Sequence, residues 1–150
     1  MDVFKIHTMH TTGTPIIPGT ASGSALVSNE PLSFWGGYDP LTGEIIDRRH
    51  PLSGEIAAGR VLCLPFSRGS STTTAILLEA VRAGTAPAAI ITTGIDSFFA
   101  LASVVAGVMY GQEVPVIALD AADFARLRTG QQIEISASGS ILVELREATP

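Results

Sequence analysis

The hydrophobic rhythm of the chain changes at Gly59. Beyond it, short apolar runs alternate with longer segments whose apolar positions recur every three or four residues. Val61 to Leu64 carries no charge, which fits a strand covered on both faces. Pro65 ends that run. From Thr74 the spacing of Ala75, Leu78 and Val81, with Leu77 and Ala80 beside them, is helical. It predicts a helix over Thr72–Ala83, closed by Gly84 and followed by Pro87. Ala88–Thr92 reads as the next strand. Asp96 stands where an N-cap would precede a helix Ser97–Tyr110, which Gly111 closes. Val114–Leu119 reads as a third strand, followed by a short helix at about Ala121–Arg128. Ile133–Ser136 and Ile141–Leu145 read as two antiparallel strands joined at Gly139. Three strands linked by helices predict a parallel sheet with right-handed crossovers.

The first third has a different texture. Residues 1–13 are polar and read either as an edge strand (Val3 to His7) or as a loose tail. Ile16-Ile17-Pro18-Gly19 leads through a tight turn into a strand over Ala21–Val27. Residues 29–54 are dense in Pro, Gly and Asp, which predicts a long shaped loop with a short strand at Glu44–Asp47. Functional loops are a usual cause of such length in a compact domain. The early strands and the terminal hairpin add a second β layer. The expected class is α/β, a β/β/α domain with a three-strand parallel βαβαβ core plus an added β layer. The 150 residues suit a single domain, 1–150.

Composition narrows the function classes. The chain is 46% hydrophobic and 15% charged, with 9 basic against 14 acidic residues and a net charge of −5. This is no nucleic-acid footprint, and no basic cluster exists beyond Arg48-Arg49. So apolar and weakly charged a chain points to surface covered by a partner protein. Cys63 is the single cysteine; it reads as a small core hydrophobe and alone cannot hold a metal or cluster. His7, His10 and His50 are widely spread, with no metal-ligand spacing. The N-terminus shows no signal-peptide pattern. The longest apolar stretch, Phe98–Tyr110, is too short to span a bilayer. A soluble cytoplasmic protein with no membrane partner is expected.

Candidate chemistry gathers in the turns that follow the parallel strands, since these lie on one edge of such a sheet and ligands bind there. After the first strand come Arg68, Gly69, Ser70 and Ser71. Gly69 permits a tight turn, and the serines stand at a helix start, where unpaired N–H groups favour negative charge. A single serine there reads equally well as an N-cap. Five hydroxyl residues in a row, Ser70 to Thr74, exceed what a cap needs. Asp96 reads as a site carboxylate or as an N-cap. Phe34-Trp35-Gly36-Gly37-Tyr38 sets three aromatics in a loop. They read as a satellite core, as a substrate-facing lid or as an interface anchor. The glycine content favours pocket or interface.

An ordered series of motifs resembles the swivelling domain of aconitase X. It runs from Gly23–Gly37 through Asp39–Asp47, His50-Pro51-Leu52 and Gly59–Leu62 to Ser67-Arg68-Gly69-Ser70-Ser71. In that family the domain occurs fused to a catalytic domain or as a separate small subunit, and this chain resembles the latter. The resemblance implies a hydro-lyase with Ser70 as catalytic base. Arg68, Gly69, Ser71, Asp96, Phe34 and Trp35 are then expected to contact a small hydroxy-acid substrate. It also implies an iron–sulfur cluster acting as Lewis acid. With one cysteine here, the cluster is expected in a large-subunit partner, leaving this chain inactive alone and binding no cofactor or metal itself. Family members dehydrate cis-3-hydroxy-L-proline to Δ1-pyrroline-2-carboxylate, or mevalonate 5-phosphate. The Ala-rich, Lys-poor chain favours the first, mainly bacterial, activity. Thr72-Thr73-Thr74 departs from relatives that carry glycine or a small residue after the serines. A phosphohistidine carrier shares a swivelling fold and a start like Pro18–Gly23, but needs a histidine where Ser70 stands. A non-catalytic lid is a third reading.

Overall fold

The computed structural model describes residues 4–69 and 71–148. The elements run β1 (Phe4–Thr12), β2 (Thr14–Ile17), β3 (Ala21–Val27), β4 (Val61–Cys63), α1 (Thr72–Ala83), β5 (Ala89–Thr92), α2 (Ser97–Tyr110), β6 (Val116–Ala118), α3 (Ala121–Phe124), β7 (Gln132–Ile135) and β8 (Ser140–Ala148). The strands form one sheet in the order β1-β8-β7-β3-β4-β5-β6-β2. Strands β3, β4, β5 and β6 are parallel neighbours, and the rest pair antiparallel.

Strand periodicity divides the apolar residues between two cores. Leu62, Leu64 and Ile90 point to the side covered by α1 and α2, where they meet Leu77, Val81, Phe99 and Ala102. Val61, Cys63 and Ile91 point to the other side, where they meet Met9, Ile133, Ile141 and Val143. Strands at the β1 end of the sheet can share a core with β4 and β5 only if the sheet curls back over itself. Helices, central strands and the folded-over β1-β8-β7 ribbon therefore form three layers. This is the β/β/α architecture, with the helices on one face and the added β layer on the other.

Several sequence expectations change. The N-terminal segment is no loose tail: β1 pairs with β8 in unbroken register from Phe4↔Ala148 to Thr12↔Ser140. It is the edge strand, extended to Thr12; Val3 lies outside the described residues. Thr14–Ile17 forms a strand, although Pro15 and Pro18 argue against one. It pairs at the opposite edge of the sheet, where a proline costs no interior ladder bond. The strand expected at Glu44–Asp47 is reduced to isolated bridges, Tyr38↔Ile45 and Glu44↔Ile56. Helix α3 stops at Phe124 rather than Arg128. The Arg128 guanidinium donates to the carbonyls of Ala125 and Leu127 just beyond it.

The long loop between β3 and β4 has a core of its own. Leu32, Phe34, Tyr38, Ile45 and Ala57 are fully buried and continue the helix-side core. Phe34 stacks on Tyr38 at 4.8 Å between ring centres and meets the edge of Phe99 at 5.2 Å. The Tyr38 hydroxyl donates to the Thr85 carbonyl. Burying that ring pushes the phenol's pKa up, because the charged form loses water. Phe34 is thus a core residue and not the substrate-facing side chain expected from its place in the loop. The loop's glycines did not keep it from burying aromatics; the helices supply the other half of the packing.

Candidate functional site

The turn after β4 is held from two sides. On one side, the backbone N–H and the hydroxyl of Ser67 both donate to Asp96 Oδ2, at 2.6 and 2.7 Å. Thr93 donates through its N–H and its hydroxyl to the Pro65 carbonyl. On the other side, Leu32 and Ser67 form a parallel bridge, and Arg68 N–H donates to the Leu32 carbonyl. Gly69 follows with φ +110°, a left-handed region that strains any other residue. The chain then enters α1 through Ser71.

Ser71 occupies the N-cap position of α1 but has helical backbone angles, and its side chain makes no cap hydrogen bond. Its carbonyl accepts from Thr74 and Ala75. No acidic residue stands in the first turn of α1. No first-turn carboxylate therefore offsets the positive end of the α1 dipole, and the exposed cation of Arg68 is nearby in sequence. Ser70 lies outside the described residues. Of the expected contacts, Arg68, Gly69 and Ser71 stand together at this exposed turn.

Asp96 has a different part. It is buried, its Oδ1 accepts from the N–H groups of Phe98 and Phe99, and its Oδ2 accepts both Ser67 donors. The carboxylate caps α2 and ties the β5–α2 turn to the β4–α1 turn, so it is a positioning group and not the open site carboxylate expected for a substrate contact. Trp35 is 68% exposed, in contrast to buried Phe34. Its carbonyl accepts from the Ser33 hydroxyl, which lies close to Gly69.

A polar cleft of about 590 Å³ opens between the long loop and this turn, lined by Glu30, Ser33, Asp47, Arg48, Arg49, His50 and Arg68. His50 is buried in its wall. Its Nδ1 accepts from Leu52 N–H, and its Nε2 lies 3.3 Å from the Glu30 carbonyl, to which it donates. Both ring nitrogens of His50 are engaged in hydrogen bonds within the loop.

Sequence reasoning gave Ser67 no role of its own, although this residue opens the Ser67–Ser71 motif. It also passed over Arg48 and Arg49, which stood out as a basic pair and not as part of any site. The described residues do not fit a metal or cluster: no three His, Cys, Asp or Glu side chains converge. Cys63 is buried, its thiol donates to the Val61 carbonyl, and burial pushes its pKa up, away from the thiolate that a cluster needs. No helix among the described residues is long and apolar enough to cross a membrane.

Comparison with known proteins places this arrangement. The family model described as "Aconitase X swivel domain" matches residues 10–144. A cis-3-hydroxy-L-proline dehydratase of Hypocrea jecorina is 37% identical over 139 residues, 93% of this chain and 23% of that protein. The enzyme of the same name from Pseudomonas aeruginosa is 45% identical over 104 residues, 69% of this chain and 18% of its own length. A phosphomevalonate dehydratase small subunit of Thermococcus onnurineus is 34% identical over 135 residues, 90% of this chain and 97% of the subunit. The chain thus spans about a fifth of the two hydroxyproline enzymes and nearly all of the small subunit. The crystal structure of Thermococcus kodakaraensis aconitase X in its holo form superposes with a TM-score of 0.80 at 29% identity, covering 90% of this chain and 98% of that one. On this match of sequence and fold, the chain belongs to the aconitase X swivel domain family.

Proposed function

We propose that this chain is the small subunit of an aconitase X-type hydro-lyase and supplies Ser70 as the base that removes the substrate proton. The observation that carries the reading is the β4–α1 turn. It is clamped by Asp96 and Leu32, bent at Gly69, and delivered to a helix start that Ser71 leaves uncapped. A serine hydroxyl is far too weakly acidic to work as a base unless its alkoxide is stabilised. The α1 dipole and the Arg68 guanidinium are suited to that task. Asp96 and Ser67 act as positioning residues that keep the turn in place.

The preferred substrate is cis-3-hydroxy-L-proline, the compound named for two relatives. Loss of the C2 proton to Ser70 and of the C3 hydroxyl as water gives an enamine that tautomerises to Δ1-pyrroline-2-carboxylate. Mevalonate 5-phosphate is the second reading, supported by the Thermococcus subunit whose length this chain matches. Any iron–sulfur cluster belongs to the large subunit, because the described residues here offer no ligand set. Helix α2 supports such a partner: it has no charged residue from Ser97 to Tyr110, and Leu101, Val104 and Val108 stay exposed along it.

The test is co-expression with the large subunit and assay on both compounds. Ser70→Ala is expected to leave the subunits assembled and to lower kcat by roughly a thousandfold or more, the general scale for losing an essential proton-transfer group. Unchanged turnover would reduce the chain to a lid.

A further inference from the structure

The arginines divide sharply by what they touch. Arg60 meets Glu55, Arg82 meets Glu79 and Arg126 meets Asp123. Arg128 donates to two backbone carbonyls. Among the described residues, the side chains of Arg48, Arg49 and Arg68 have no ion pair or hydrogen-bond partner, and all three line the same cleft. Glu30 and Asp47 line it too, but neither forms an ion pair with these arginines, and one Asp47 oxygen already accepts from Arg49 N–H. Three guanidiniums in one cleft repel one another, and this chain is otherwise acidic. Their common neighbourhood favours an oxyanion, which guanidinium binds through paired N–H donors.

The wall that carries two of them is built. Asp47 Oδ1 accepts from Arg49 N–H, and His50 N–H donates to the Asp47 carbonyl. The His50 ring then fastens this turn to the Glu30 carbonyl, and Glu30 N–H is held by the Ser28 hydroxyl. The opposite wall is the clamped turn with Arg68. We infer that Arg48 and Arg49, with Arg68, form the site that takes the oxyanion of the small-molecule substrate, a carboxylate or a phosphate. This rests on the dehydratase reading for the identity of the substrate. It adds two residues of the long loop to specificity. In hydroxyproline the carboxylate is one bond from the carbon that loses its proton, so a carboxylate held at this cleft suits a base on the same turn.

The experiment compares the wild-type complex of this chain and its large subunit with Arg48→Ala, Arg49→Ala and the double variant. All are assayed on cis-3-hydroxy-L-proline and on mevalonate 5-phosphate. The double variant is expected to raise KM roughly 10- to 100-fold, the range for losing charge-assisted hydrogen bonds, with kcat within about threefold. A KM rise on both compounds assigns the carboxylate they share, and a rise confined to mevalonate 5-phosphate assigns its phosphate. Lysine at both positions should recover part of the loss. An unchanged KM overturns the inference, and so does loss of co-purification, which would make these arginines partner contacts. Should the wild-type complex turn over neither compound, the dehydratase reading fails separately. The full chain is then titrated with millimolar inorganic phosphate by amide NMR. Shifts at residues 47–50 and 67–69 that vanish in the double variant uphold the oxyanion site, and their absence overturns it.

Discussion

Helices α1 and α2 start on the same edge of the sheet, side by side, each after a parallel strand and a glycine-containing turn. Their first turns are treated in opposite ways. At α2, Asp96 accepts from the N–H groups of Phe98 and Phe99, is buried, and is closed to solvent by Ser67. At α1, Ser71 holds the cap position without capping, and the turn is exposed. A fold that caps one helix with its own carboxylate places no acidic residue in the first turn of its neighbour. The sealed start fixes the open one, because the carboxylate that caps α2 also holds Ser67.

That contrast is open to attack by mutation. The largest effect is expected from Asp96→Ala. It removes the α2 cap and leaves two Ser67 donors without their acceptor, together costing about 3 kcal/mol of stability in chemical denaturation. Activity of the assembled enzyme should fall as well. A loss below about 1 kcal/mol would mean that the two turns are not coupled through this group. Gly69→Ala comes next. A Cβ at φ +110° is strained whatever the space around it, at about 1–3 kcal/mol, and the serine turn should shift with it. A variant that keeps full stability and full kcat would refute the need for this bend. The smallest effects are reserved for Ser71. Since its hydroxyl caps nothing, Ser71→Ala should change stability by less than about 0.5 kcal/mol. Ser71→Asp should stabilise the chain by about 0.5–1 kcal/mol, by adding the kind of carboxylate that α2 already has. The same change should depress activity, since it places a negative charge where the open start favours a bound or developing one. A stabilised and fully active Ser71→Asp enzyme would show that the open start has no functional meaning.

The two helices were legible to the residue. Their apolar spacing, Asp96 at one start and Gly84 and Gly111 at the ends are local signals, and local geometry reads them directly. The parallel strands were legible as apolar runs: β3 has the expected bounds, while β4, β5 and β6 are each shorter than the run that predicted them. Edge strand β2 was hidden by Pro15 within it and Pro18 after it, since edge position is a property of the finished sheet. The aromatic pair Phe34 and Trp35 shows the limit most plainly. Adjacent side chains separate completely, one stacked against Tyr38 and Phe99 and the other left in solvent. Nothing in their sequence neighbourhood distinguishes them.

The sequence by itself determined the layered α/β class, the boundaries of α1 and α2 and the glycine turn before α1, because periodicity, caps and glycines act over a few residues. Only the tertiary structure decided that Asp96 binds Ser67 across 29 positions, that Phe34 is core, and that Arg48 and Arg49 share a cleft with Arg68. Those outcomes depend on which surfaces meet when the sheet curls and the long loop folds onto the helices, and contacts between distant segments leave no local pattern to read.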